Sequence, residues 1–305
     1  SHVAQRSIRI FSTYLIETNL LQYLLSHGDD TWLLDYRTSI ELPVAAQDAT
    51  GDEVAKYDYP AAVQTVLAQT GAANVQMIAH CYGATTWTMA MLAGLQGVRS
   101  AVCSQVSAHS RAPLMLKLKT GLHVPGFLDM LGVDSLTAFT SEHDDWTDQL
   151  FNATLKLYPL EFEERCDNPV CHRITFLYSL LYEHDQLSTQ LHDHLHELFG
   201  VANIEQFEHL ARIVRTGHLV AADGAEVYMP HLERLAIPIA FIHGAENQCF
   251  LPESTELTYN ALCEKNGASL YKRHLIPDYG HIDCIFGKNA ARDVFPLILE
   301  HLEAT

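Results

Sequence analysis

The chain has 305 residues, 48% of them hydrophobic and 18% charged, a balance that excludes a disordered chain and fits one large domain with an insertion or two modest ones. Its formal net charge of -18 argues against nucleic acid and anionic lipid surfaces as partners. The seven cysteines (Cys81, Cys103, Cys166, Cys171, Cys249, Cys263, Cys284) are odd in number and lack framework spacing, which predicts a reduced, cytoplasmic setting. No apolar run reaches the roughly twenty residues of a membrane helix, and the N-terminus lacks a basic-then-apolar leader pattern, so a soluble protein with no transmembrane segment is expected.

In chain order, Ile16, Leu20, Tyr23 and Leu24 recur at helical spacing and the pattern stops at Gly28, a natural C-cap. "TWLLDYR" (31–37) reads as a short apolar strand, and a second amphipathic helix is predicted from Tyr59 to Thr70. "VQMIAHCYGATTWTMAML" (75–92) then gives a strand, a sharp His80-Cys81-Tyr82-Gly83 elbow and an apolar helix. "VRSAVCSQVSA" (98–108) is a further buried strand. Strand and helix alternate as in a parallel sheet with helices on both faces.

Residues 109–234 break that rhythm. "FLYSLLYEHDQL", "LHDHLHELFG" and "IEQFEHLARIVRTG" read as helices, Asp223-Gly224 as a turn, and no strand of the buried parallel type intervenes. Sheet order resumes with "IPIAFIHG" (237–244) and "LYKRHLIPDYGH" (270–281), and a helix from Ala290 to Leu302 closes the chain. The expected fold is therefore α/β, with a mostly parallel sheet flanked by helices. Residues 1–108 and 235–305 form its core, and 109–234 a large helical cap.

Active sites of such sheets lie at the carboxyl ends of the strands. The elbow strand delivers Cys81, the 237–242 strand delivers Glu246 and Asn247, and the last strand delivers His281. Nucleophile, acid or amide, then histidine is the chain order of the α/β-hydrolases. A cysteine at the elbow, beside an imidazole and a helix N-terminus, is expected as thiolate nucleophile with His281 as its base. The Gly-x-x-Asp spacing of the acid loop, counted from Gly244, lands on Asn247, with Glu246 one short. Asn247 is the favoured third member, because a thiolate needs less carboxylate support, and Glu246 stays open. Asp283 reads as a structural carboxylate tethering the loop. One oxyanion donor would be the backbone N–H of Tyr82. The other normally follows an earlier central strand, of which at most the end is present at residues 2–4.

Other patterns weigh less. "CDNPVCHR" with Cys166, Cys171 and His172, and the run His192, His194, His196, invite a metal, but Cys-x4-Cys matches zinc spacings poorly and no second pair lies at a matching distance. His192 and His196 are better read as a solvated helix face, so neither metal nor cofactor is expected. Met115, Phe127, Met130, Phe139, Trp146, Phe151, Phe176, Tyr178 and Tyr182 of the cap are core residues by spacing, some of which could also line an apolar acyl pocket.

"AHCYGATTWTMAMLAGLQGVRSAVCSQV", "CDNPVCHRITFLY", "FIHGAENQCFLPEST" and "YGHIDCIFGKNAARDV" together resemble the α/β-hydrolase region at the C-terminus of some bacterial cholesterol-oxidase-like oxidoreductases of the glucose-methanol-choline type. More distantly, "GHIDCIFG" is similar to the His-containing segment of acid lipases. The resemblance implies Cys81 as nucleophile, His281 as base and a third member in the 244–247 loop. It further implies lipid- or sterol-like esters as substrates and an upstream flavin oxidoreductase domain in a longer polypeptide. No Gly-x-Gly-x-x-Gly flavin fingerprint is present in these residues. The expected function is a cysteine ester or thioester hydrolase, or an acyltransferase working through a thioacyl-enzyme. The alternative is a non-catalytic lipid-binding or docking module.

Overall fold

A computed structural model describes residues 2–3, 9–39, 42, 49–113, 166–199 and 204–305. Six parallel strands form one sheet: β1 (His2–Val3), β2 (Leu33–Leu34), β3 (Val75–His80), β4 (Val98–Ser104), β5 (Ile239–Gly244) and β6 (Tyr271–Ile276), in the order β2-β1-β3-β4-β5-β6. The central strands are apolar on both faces, as a sheet covered on both sides requires: β5 is buried at every position. The residues at 2–3 do lie in the sheet, pairing with Leu33–Leu34 on one side and Ile78–Ala79 on the other. The strand expected over 31–37 is only its Leu33–Leu34 centre.

The helices follow their local chemistry. Helix α1 (Leu20–Ser26) begins at Asn19, whose side chain caps the N–H of Gln22 while Gln22 bonds back, so Ile16 precedes the helix rather than belonging to it. Helix α2 (Tyr59–Thr70) has the predicted bounds and ends at Gly71 in the left-handed conformation. Helix α3 (Tyr82–Ala93) is buried from Tyr82 through Leu92, which is why its sequence is apolar all round rather than striped. Tyr59 of α2 donates its hydroxyl to the Gly83 carbonyl of α3 at 2.8 Å and fixes that helix behind the sheet.

Of the expected cap, 114–165 and 200–203 lie outside the described residues, and with them Met115, Phe127, Met130, Phe139, Trp146 and Phe151. The rest is more broken than its periodicity suggested. Helix α4 (Pro169–Tyr178) stops at Ser179, whose φ is 73°, and helix α5 (Thr189–Asp193) ends before His194. Only α6 (Ile204–Thr216) runs as one long element. An antiparallel bridge between His109 and His218 ties the chain leaving β4 to the chain returning from α6. The 221–224 turn is present, with Gly224 at φ 93°. Tyr178 and Tyr182 are buried, Tyr178 packing on the rings of Phe199 and Phe207.

After β5 come α7 (Glu253–Asn266), β6 and the C-terminal helix. The helix expected from Ala290 is interrupted at Val294 and restarts as α8 (Phe295–Ala304). Pro296 opens the second segment, where its missing N–H costs nothing. No described helix is long and apolar enough to cross a membrane.

The ends of β5 and β6 come together at Gly244. A Cβ there would collide with the carbonyl oxygens of Tyr279 and Gly280, so only glycine lets the 277–281 loop pass over the strand. We expect Gly244→Ala to lower unfolding free energy in urea by about 3 kcal/mol or more; a loss under ~1 kcal/mol would show that this close approach is not required.

Candidate active site

At the end of β3 the chain turns into α3 through Cys81, with φ 56° and ψ -129°. A non-glycine residue in this region carries strain of about 1–3 kcal/mol. Its backbone is pinned by the Cys81 N–H donating to the Ser104 carbonyl at 3.0 Å and by Thr85 N–H donating to the Cys81 carbonyl at 3.1 Å. The thiol-bearing residue is 9% exposed. Tyr82 is the first residue of a 12-residue helix, so its N–H belongs to the unpaired first turn at the positive end of the helix dipole.

Beside this elbow the β5 and β6 loops are stitched together. Ala245 and Glu246 donate their N–H groups to the Ile276 and Tyr279 carbonyls, both within 2.9 Å. His281 is buried, and its ring lies 5.0 Å from that of His80, the residue before Cys81, and 5.7 Å from Phe250. Asn247 is fully buried, with its amide 3.0 Å from His281 Nδ1. Glu246 faces solvent. Of the two residues left open for the third position, the geometry brings Asn247 to the histidine.

The direction of that hydrogen bond follows from the neighbours. Asn247 Oδ1 accepts from the N–H groups of Cys249 and Phe250 at 2.8 and 2.9 Å. Nδ2 is thereby turned to donate to Gln105 Oε1 at 2.9 Å and to His281 Nδ1. Gln105 Oε1 is in turn held as an acceptor by the Gly244 N–H at 3.0 Å. Rotating the amide would set its NH2 against two backbone donors and its carbonyl against Gln105 Oε1. A His281 ring held in this way accepts at Nδ1, which in its neutral form places the proton at Nε2. An aspartate at 247 would put a carboxylate oxygen against Gln105 Oε1, so these surroundings select an amide.

Gln105 escaped the sequence reading. It follows β4, is fully buried and has φ 79°. Asking what each strand delivers at its carboxyl end would have found it, since a glutamine after a buried apolar strand is the same signal as Cys81 after β3. His243, the other buried polar group of this corner, bonds to the Phe250 carbonyl and Thr255 and holds the 244–250 loop from beneath; burial lowers its pKa to about 4.

Asp283 has the tethering role expected of it. Its Oδ2 accepts from the N–H groups of Gly280 and Glu183, joining the His281 loop to the 181–186 segment. The same segment presents the Leu181 carbonyl to the N–H groups of both His281 and Ile282, at 3.1 and 2.8 Å. A cavity of about 360 Å³ lined by Arg111, Leu251, Glu253 and Asn260 contains neither Cys81 nor His281 in its walls.

All seven cysteines are unbridged. Cys166 and Cys171 approach His192, and His184 joins them so that one ligand atom from each of the four lies within 4.8 Å of the others. His194 and His196 are not part of this group. The helix breaks at His194, so the face on which His192 and His196 were expected to align does not exist.

No protein-family model matches the chain. Lipase member K of Homo sapiens is 25% identical across 92% of this chain and 73% of its own length. Among solved structures, a bromoperoxidase from Bacillus anthracis superposes with a TM-score of 0.56 at 15% identity, covering 99% of this chain and 92% of that one. A thermophilic esterase from Thermogutta terrifontis also gives 0.56, at 14% identity over 99% and 89% of the two chains. The lipolytic enzymes LipS and LipT, derived from a metagenome, give 0.54 at 13% identity over 100% and 90%. These likenesses establish the α/β-hydrolase fold expected from the sequence.

Burial pushes the Asp283 carboxyl up to about 7 against the backbone N–H groups of Gly280, Glu183 and Asp283 itself, which pull it down. The native state then holds a proton that the unfolded chain releases between about pH 4 and 7, so stability from this group falls as pH rises through that window. His109 and His243, lowered by burial to about 4, contribute the opposite slope. In urea titrations at stepped pH, Asp283→Asn should remove a fall of up to about 4 kcal/mol between pH 4 and 7. Parallel curves for variant and parent would contradict this assignment.

Proposed function

We propose that the chain is a cysteine-dependent acyl hydrolase or acyltransferase, with Cys81 as nucleophile, Tyr82 N–H as an oxyanion donor, and His281 oriented by Asn247. The observation that carries this reading is Cys81 itself, strained at φ 56° on the strand-to-helix elbow, where the ring of its neighbour His80 lies 5.0 Å from that of His281, the histidine that Asn247 orients. Strain of this kind persists where the surroundings over-determine it, and it clusters at reactive positions. The lipase and lipolytic names among the relatives support an acyl substrate, and the sequence resemblance narrows its acyl part to apolar, lipid-like chains, whatever the leaving group.

The fixed amide restricts the chemistry. In a serine protease triad, exchanging the acid for an amide reverses the histidine tautomer and costs about 10⁴ in rate. A cysteine tolerates that exchange better, because its thiolate forms without a base in the transition state. With its proton on Nε2, His281 would stabilise the thiolate by donating a hydrogen bond, rather than removing a proton from it. Attack forms the sulfur–acyl bond and expels the leaving group as an anion, with no proton supplied. Thioesters and aryl esters suit such a site, and alkyl esters, whose alkoxide needs a proton, do not. Water is likewise a poor acceptor without a base, so the thioacyl-enzyme should persist until a thiolate or another strong nucleophile takes the acyl group.

The same Nε2 proton favours a second reading, in which the domain binds an apolar acyl ligand without turning it over and presents it to an oxidoreductase. A flavin domain encoded upstream, as the resemblance implies, would supply that partner; sequence preceding Ser1 tests it.

Stopped-flow acylation with a medium-chain thioester separates the readings. Asn247→Ala should slow acylation by about 10²-fold and Glu246→Ala by less than about twofold. Acylation by the matched alkyl ester should be slower than by the thioester by at least about 10²-fold. Equal rates for Asn247→Ala and the parent would remove Asn247 from the mechanism; no acylation of the folded, reduced parent would favour the binding module.

A further inference from the structure

The cluster of Cys166, Cys171, His184 and His192 lies outside the candidate active site, on the segment that buttresses it. Cys166 precedes α4 and Cys171 lies in its first turns, while His184 sits in a short 3₁₀ turn and His192 on α5. Four separate local structures therefore converge on one point. His192 Nε2 is 3.3 Å from the sulfur atoms of both Cys166 and Cys171, and its ring centroid is 5.4 Å from that of His184. All four ligand atoms fit within 4.8 Å. Zinc–sulfur bonds of about 2.3 Å and zinc–nitrogen bonds of about 2.0 Å at tetrahedral angles require neighbouring ligand atoms about 3.3–3.8 Å apart. The two separations from His192 Nε2 to the sulfurs are already at that scale, and the remaining ones lie within about 1 Å of it.

Its surroundings are those of metal ligands. His192 presents Nε2 to the sulfurs, and its Nδ1 faces the Asp193 carboxylate at 3.6 Å, too far for a hydrogen bond but on the side where an outer-shell acceptor would orient a zinc-binding histidine. The Asn168 N–H points at Cys166 Sγ at 3.4 Å, and the Tyr182 hydroxyl at Cys171 Sγ at 3.2 Å, each a donor suited to a thiolate. Cys171 is fully buried and the other three are half-buried, so the centre is shielded but reachable.

We propose that these four residues form a structural zinc site. Zn(II) displaces one proton from each thiol, and two thiolates balance its charge. Two sulfur and two nitrogen ligands complete the tetrahedron and leave no open position for substrate, which marks the site as structural rather than catalytic. Its place explains what it would stabilise. Between Cys171 and His184 lies Leu181, whose carbonyl accepts from the N–H groups of His281 and Ile282, and Glu183 bonds to Asp283. The metal would clip the strap that holds the His281 loop.

Zinc content and cobalt substitution of the full chain, purified reduced and without chelator, test this. We expect about one zinc per chain, and an X-ray absorption shell of two sulfurs near 2.3 Å and two nitrogens near 2.0 Å. Replacement by Co(II) should give thiolate-to-cobalt charge transfer and the intense d–d bands of a tetrahedral centre. Cys171→Ser and His192→Ala should lose both the zinc and those bands, and His196→Ala should keep them. Should the first two variants not fold, alkylation of the parent still decides: bound metal should protect Cys166 and Cys171 but leave Cys263 labelling unchanged. Less than a tenth of an equivalent of zinc with no cobalt spectrum, or a Cys166–Cys171 disulfide in the freshly isolated chain, would overturn the proposal.

Discussion

Asn247 hydrogen-bonds in four directions, to the backbone N–H groups of Cys249 and Phe250, to Gln105 and to His281, and the chemistry available at the β5–β6 edge depends on it. Inside a protein an unpaired polar atom costs about 1–3 kcal/mol, so an amide with every partner fixed in polarity has one stable orientation. The polarity runs outward from the backbone of β5: the Gly244 N–H makes Gln105 Oε1 an acceptor, which makes the Asn247 nitrogen a donor, which makes His281 Nδ1 an acceptor. A histidine tautomer is thus linked to a strand-end glycine through three hydrogen bonds.

That glycine serves twice, since it also lets the Tyr279–Gly280 backbone pass close enough for His281 to reach Asn247. From the other side the loop is held by Leu181 and, through Asp283, by Glu183. The site is therefore a clamp between two loops and a strap, each fixed by backbone groups rather than by surface side chains. The strain at Cys81 is sustained by the same kind of constraint, with the Ser104 carbonyl on one side and the buried α3 helix on the other.

Much of this could be read from residue order. The elbow announces itself because an apolar β-branched strand, small residues at Ala79 and Gly83 and an apolar helix cannot be joined in another way. The strand-end rule then nominates Asn247 and His281. Two things were out of reach for a physical reason. The direction of the Asn247–His281 bond depends on Gln105, which is far away in sequence and becomes a neighbour only when β4 and β5 pair. The convergence of Cys166, Cys171, His184 and His192 depends on breaks at Ser179 and His194, whereas periodicity predicts continuous helices there and places His192 with His196. Helical spacing registers which face a residue occupies, but not where a short helix stops, and those stops bring the four side chains together.

On the proposed mechanism Cys81 is a nucleophile whose acyl adduct outlives its formation, because the His281 tautomer fixed by Asn247 cannot activate water. Intact-protein mass after brief exposure to a medium-chain thioester, followed by peptide mapping, tests it directly. The expected result is one acyl group per chain, on Cys81 and none on the other six cysteines, decaying slowly in buffer and faster with added thiol. Absence of an adduct on Cys81 in folded, reduced protein, or turnover so fast that no adduct can be trapped, would contradict it.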